Sequence, residues 1–141
     1  MLDLRRMRFL INRLPAARFR VDKAMARATK TTTVLTGMPR GSGTGDQTAD
    51  GAILLQLARE ALDRIETELS EMRAELGPMI EQIDEPLQKS VMRLRYMDGM
   101  RVREIAYSLN YSEPHIFRIL QRAEQNIVLI GKDESDESKI L

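Results

Sequence analysis

Eight apolar side chains recur at spacings of 4, 3, 4, 3, 4, 3 and 4: Ala58, Leu62, Ile65, Leu69, Met72, Leu76, Met79 and Ile83. That rhythm is the a/d seam of an α-helix sustained for more than three heptads, and the positions between are rich in Glu, Asp and Arg. The stripe is narrower than the face of a helix buried in a globular core. It needs a partner helix, either a second copy or the N-terminal helix folded back as a hairpin. The first option predicts a homodimer through the 58–83 seam. Pro78 lies off the seam and is predicted to bend the helix near Gly77 without destroying the register.

The formal net charge of +1 conceals a segregation. Residues 1–41 hold ten Lys/Arg against two acids, and residues 42–86 hold three against eleven. Residues 87–126 return to seven against four, and the tail from 127 has two against four. Two basic blocks around an acidic one suit two surfaces for polyanions, or a pair of helices that neutralise each other. With 30% charged and 4% aromatic residues, nine Met and no Trp, the composition favours an all-α chain with a modest core. The absence of Cys and the single His115 exclude disulfides, thiolate chemistry and Cys/His zinc sites. No window approaches the ~18 apolar residues of a membrane span. The start, Leu-Asp-Leu-Arg-Arg-Met-Arg, lacks the apolar stretch of a signal peptide. A cytoplasmic protein without membrane or cofactor is expected.

Four segments follow from the pattern. Residues 1–50 form a basic helical portion and a linker, with Leu4, Met7, Leu10, Ile11 and Leu14 at helical spacing from Leu2 to about Ala28. Pro15 is predicted to end or kink that helix. Residues 31–36 have β propensity without a partner strand. Gly37, Gly41, Gly43 and Gly45 then read as a flexible connection, because no Lys-Ser/Thr pair or strand–turn–helix context supports a phosphate loop. Residues 51–84 are the long acidic helix, 85–128 a helix-turn-helix domain, and 129–141 an acidic tail expected to be disordered.

The third segment carries the function. A helix from Leu87 to about Met97 is ended by Asp98-Gly99, and "VREIAYSLNYSEPHIFRILQ" at 102–121 follows. Ile105 and Leu109 supply an inward face, and Ala106 is small enough to let two helices cross. Asn110 occupies the turn position that needs a left-handed backbone, Tyr111 plugs the turn, and Ser112 is a good N-cap. Pro114 falls in the first helical turn, where its missing N–H costs nothing. Ile116, Ile119, Leu120 and Ala123 form the inner stripe of the second helix.

At about 100° per residue, Arg118 lies about 200° from Ile116, with Pro114, Gln121, Arg122 and Gln125 on the same outer side and His115 at its edge. Arg and Gln make bidentate contacts to guanine and adenine in the major groove. Arg118 is therefore the leading base reader, with Gln121 beside it. Ser112, Glu113 and His115 are candidates at the helix entrance, where Glu113 can accept from a cytosine amino group. Arg101, Arg103 and Arg122 suit phosphates, which hold register without specifying sequence.

The stretch "RLRYMDGMRVREIAYSLNYSEPHIFRILQRAE" resembles region 4 of bacterial sigma factors. The resemblance implies binding to a promoter element through the recognition helix, and docking on RNA polymerase. Glu113, His115 and Arg118 match the DNA-contacting positions of that family, and Ile105, Ala106, Leu109 and Ile116 its core. The whole chain is similar to phage and prophage regulators of the RinA/ArpU type, through "TGMPRGSGTGDQTADGAI", the long acidic helix and "MRLRYMDG". Nothing resembles sigma region 2, so a complete sigma factor is not implied.

The reading is a dimeric, sequence-specific regulator that binds double-stranded DNA in a bacterial host cell. A small terminase subunit combines similar parts in a ring of many subunits. A polymerase- or sigma-binding adaptor would use the same helices on protein. An enzyme is the weakest class, since no triad, metal cluster or paired carboxylates in an apolar setting occur.

Overall fold

The computed structural model describes residues 2–33 and 44–140, and every regular element among them is helical. The elements are α1 (Leu4–Thr33), α2 (Thr44–Glu81), α3 (Pro86–Met92), a π-helical turn (Arg93–Met97), α4 (Val102–Leu109) and α5 (Glu113–Ile140). The all-α class read from the sequence is the one observed. The Gly-rich connection from 37 to 43 lies outside the described residues, as does the 34–36 part of the β-prone stretch 31–36; residues 31–33 of that stretch are instead the helical end of α1.

Helix runs further than the sequence suggests at three places. Asp3 caps α1 by accepting from the backbone N–H groups of Arg5 and Arg6, at 3.0 and 3.2 Å. The helix then continues through Pro15 to Thr33. Pro15 removes the donor that the Ile11 carbonyl would use, and apolar packing holds the helix on both sides: Met7, Leu10 and Ile11 before it, Ala17 and Val21 after it, are all buried. At the other end of the connection α2 begins at Thr44, so 44–50 are helical rather than linker, and it passes through Pro78 to Glu81. Lastly, α5 reaches Ile140, so the acidic tail is helical to that residue and not disordered as its composition suggests. Its beginning is anchored, since a Cβ at Gly131 would stand 3.2 Å from Met79 Cε, and Gln82 donates to Glu134 at 3.0 Å.

The chain divides into two compact units, Met1–Ile11 with Leu69–Leu141 and Asn12–Glu68. This division differs from boundaries at 50, 84 and 128: the start of α1 and the end of α2 group with the C-terminal helices. Apolar burial explains it. Met7, Leu10, Ile11, Leu69, Leu76 and Ile83 all lose their water in the larger unit, together with Val91, Met92, Ile105 and Ile116.

The smaller unit is an antiparallel helix pair. Arg18 of α1 faces Glu66 of α2 at 3.9 Å, while Arg27 shares a cleft of about 350 Å³ with Gly51 and Leu54. Ala58, Leu62 and Ile65 of the seam are half-buried there. In the larger unit the seam positions Leu69, Leu76, Met79 and Ile83 are buried within the single chain.

Glu85 caps α3, its carboxylate accepting from Leu87 N at 3.2 Å and Gln88 N at 2.7 Å, and Pro86 takes the first helical position. The π turn that follows buries both Arg95 and Tyr96. Arg73 donates to the Tyr96 carbonyl at 2.8 Å and Arg95 to that of Met100 at 3.2 Å, so two cations satisfy backbone oxygens around the bend. Gly99 then takes a φ of +71°, which ends the segment as the Asp98-Gly99 pair suggests.

Candidate nucleic-acid interface

Between α4 and α5 the chain turns in three residues. Asn110 has φ 61° and ψ 39°, the left-handed conformation that its position demands. The Tyr111 N–H donates to the Ala106 carbonyl at 3.0 Å and the Asn110 N–H to that of Tyr107 at 3.4 Å. This pair of bonds is a Schellman ending, closing one helix while aiming the chain into the next. Ser112 Oγ then accepts from the His115 N–H at 3.3 Å, capping α5. Ala106 is buried where α4 meets α5, and Ile105, Ile116, Ile119, Leu120 and Ala123 fill the space between them and their neighbours. Each restricted position thus behaves as its chemistry requires, except one. Tyr111 is 42% exposed, its ring leaning on His115 with centroids 4.9 Å apart, rather than buried as a plug of the turn.

The outer side of α5 is a polar row. Ser112, Glu113, Arg118, Gln121 and Arg122 are exposed and His115 is half-buried under Tyr111. Arg101 is the N-cap residue of α4 and Arg103 lies in its first turn, both exposed. They stand at the opposite end of α4 from the start of α5, separated from Ser112 by a helix about 12 Å long. The site residues therefore fall into two groups: one along α5, and a pair of arginines one helix length away. None of the guanidinium groups of Arg101, Arg103, Arg118 and Arg122 makes an ion pair or hydrogen bond among the described residues.

Other features were not signalled by the sequence reading. The first turns of α1 reach the middle of α5, and a cleft of about 940 Å³ there is lined by Asp3, Arg5, Arg8, Gln121, Gln125 and Leu129. Basic residues of the N-terminus are thereby placed beside two side chains of the α5 outer row. Beneath the cleft Tyr96, fully buried, donates to Glu124 Oε1 at 2.6 Å, and Arg8 donates to the same carboxylate at 3.0 Å and to the Tyr96 oxygen at 3.2 Å. Burial first, and then the hydrogen bond to the Glu124 carboxylate, push the Tyr96 phenol well above its ordinary range, with Arg8 opposing. Long-range pairing of this kind, 88 and 116 residues apart, leaves no local pattern to read.

Phe117 is also unanticipated. It is 55% exposed on α5, and Tyr107 on α4 is 88% exposed. The helical angle that places Arg118 outward also puts Phe117 about 100° from Ile116, off the inner stripe, so this signal was available.

Among the described residues no helix is long and apolar enough to cross a membrane, and no three His, Cys, Asp or Glu side chains group as metal ligands do. A family described as "Protein of unknown function (DUF1492)" matches residues 39–128, which include α3, the π turn, α4 and the exposed row of α5. No curated protein and no solved structure matches the chain.

Proposed function

The chain belongs to the DUF1492 family, and we propose that it is a sequence-specific, double-stranded DNA-binding transcription regulator acting at phage or prophage promoters in the bacterial cytoplasm. The observation that carries this reading is the outward row of α5. Arg118, Gln121 and Arg122 stand exposed, with both guanidinium groups unpaired, on a helix whose entry is set by Asn110 and Ser112. Two helices joined by so tight a turn, with a small residue at the crossing, support a helix-turn-helix reading, and the second helix of that motif enters the major groove. Arg118 and Gln121 are assigned to base edges, Ser112, Glu113 and His115 to the helix entrance, and Arg101, Arg103 and Arg122 to phosphates. The resemblance to sigma region 4 supports the same orientation and adds RNA polymerase as a second partner.

A homodimer belongs to the reading, because operators for such motifs are commonly two-fold. Burial of Leu69, Leu76, Met79 and Ile83 within one chain moves the contact to surfaces still open, notably Ile53, Leu54 and Leu57 of α2.

The test is an in vitro selection on random duplex DNA with the wild-type chain and Arg118→Ala in parallel. Wild type should enrich a motif, and the variant should lose about 1–3 kcal/mol on it while relaxing one base position. Equal loss on every sequence removes Arg118 as a base reader. Absence of binding at low salt favours the polymerase adaptor, and light scattering that reports a ring of many subunits favours the packaging subunit.

A further inference from the structure

Phe117 leaves 55% of its surface in water on the second turn of α5, next to Arg118 in sequence and four residues from both Glu113 and Gln121. It lies off the buried stripe of α5, which is made by Ile116, Ile119, Leu120 and Ala123. A phenyl ring left this exposed forgoes a large part of its burial energy, so the position calls for an apolar partner. Its surroundings restrict what that partner is. The cations of Arg118 and Arg122 are unpaired on the same helix, which favours a polyanion over an apolar protein surface. Within the major groove of a duplex the base edges are hydrogen-bond donors and acceptors, apart from one apolar group, the C5-methyl of thymine.

We infer that Phe117 is a specificity-determining residue that reads a thymine by packing its ring on that methyl group. The inference rests on the DNA-binding reading above and deepens it. Phe117 and Arg118 are one helical residue apart, about 1.5 Å along the axis, against about 3.4 Å between stacked base pairs. The thymine therefore lies within about two base pairs of the base that Arg118 contacts. The ridge Glu113–Phe117–Gln121 runs beside that arginine, so an apolar reading is set between polar ones, and the recognised sequence is mixed rather than G-rich.

The experiment replaces each thymine of the selected duplex by deoxyuridine, which removes the methyl group and leaves pairing intact. Affinities are measured with the full chain, as wild type, Phe117→Ala and Phe117→Leu. At one position the wild type should lose about four-fold, the worth of one buried methyl group. Phe117→Ala should bind the two duplexes equally, and Phe117→Leu should retain part of the discrimination. Wild-type binding to a selected motif with no deoxyuridine-sensitive position overturns the inference while the DNA-binding reading stands. Equal sensitivity in wild type and Phe117→Ala assigns the methyl contact to another residue and also overturns it. No selected motif and no duplex binding at low salt removes the DNA-binding reading and this inference with it, and turns Phe117 toward a protein partner.

Discussion

The two compact units share α1 and α2 but use them differently. In the smaller unit the helix pair buries Ala17 and Val21, leaves Ala58, Leu62 and Ile65 half-covered, and exposes Phe19, Ile53, Leu54 and Leu57. In the larger unit the same two helices contribute Met7, Leu10, Leu69 and Leu76 to a core closed by α3, α4 and α5. Two helices alone have one seam and no third layer to cover its flanks, so large side chains beside the seam stay wet. Adding α3, α4 and α5 converts that seam into an interior. Stability is therefore expected to reside in the unit that carries α5, a useful arrangement for a surface that must hold several side chains in register with a ligand.

Matched substitutions in the two units give the largest contrast. Leu76→Ala, at a site with no exposed surface, should cost about 2–5 kcal/mol in urea denaturation, through lost transfer energy and a cavity. Leu57→Ala, more than half exposed, should stay within about 0.5 kcal/mol. Equal losses would break the distinction between the units.

Removing the Tyr96 hydroxyl tests the polar side of the larger unit. Tyr96→Phe deletes a hydrogen bond to a charged carboxylate while Arg8 keeps its contact with Glu124, and should cost about 1.5–3 kcal/mol at neutral pH. Because the folded phenol titrates above its unfolded value near pH ~10, its contribution is complete below that pH. It then declines as pH rises toward the folded value. Wild type should lose stability in alkali more steeply than Tyr96→Phe, and superimposable alkaline limbs would refute the assignment.

The turn between α4 and α5 sharpens the picture further. Asn110→Ala places an ordinary side chain at φ 61° and should cost about 1 kcal/mol, whereas Asn110→Gly should be close to neutral by the same denaturation. A larger penalty for Gly than for Ala would mean that the Asn110 side chain, and not its backbone, shapes the turn. The smallest effect belongs to the helix pair. Arg18 and Glu66 are both well exposed at 3.9 Å, so Glu66→Gln should change stability by less than about 0.5 kcal/mol and become silent in high salt.

Much of the interface was legible residue by residue. Asn110, Ser112, Ala106 and Gly99 are each confined by local backbone chemistry, and local chemistry travels with the sequence. The outward placement of Arg118 and Gln121 followed from helical angles alone. Phe117 was less legible because an apolar residue beside the inner stripe has the same local pattern as a core residue, and only its exposure separates the two. The course of α1 through Pro15 and of α5 to Ile140 escaped for another reason: a local breaker or an acidic, polar tail can be outweighed by packing elsewhere along the same helix.

By itself the sequence determined the all-α class, the seam, the tight turn and the set of side chains on the outer row of α5, since all of these depend on neighbours within a few residues. Only the tertiary structure decided what covers the seam: Leu69, Leu76 and Ile83 are buried inside one chain, although their spacing suits a second copy equally well. It alone also brought Arg8 to Tyr96 and Glu124, and set the first turn of α1 beside Gln121 and Gln125. A heptad specifies that a partner is needed and not which one. The choice rests on contacts between segments far apart in the chain, where loop closure is paid back by burial that no local pattern records.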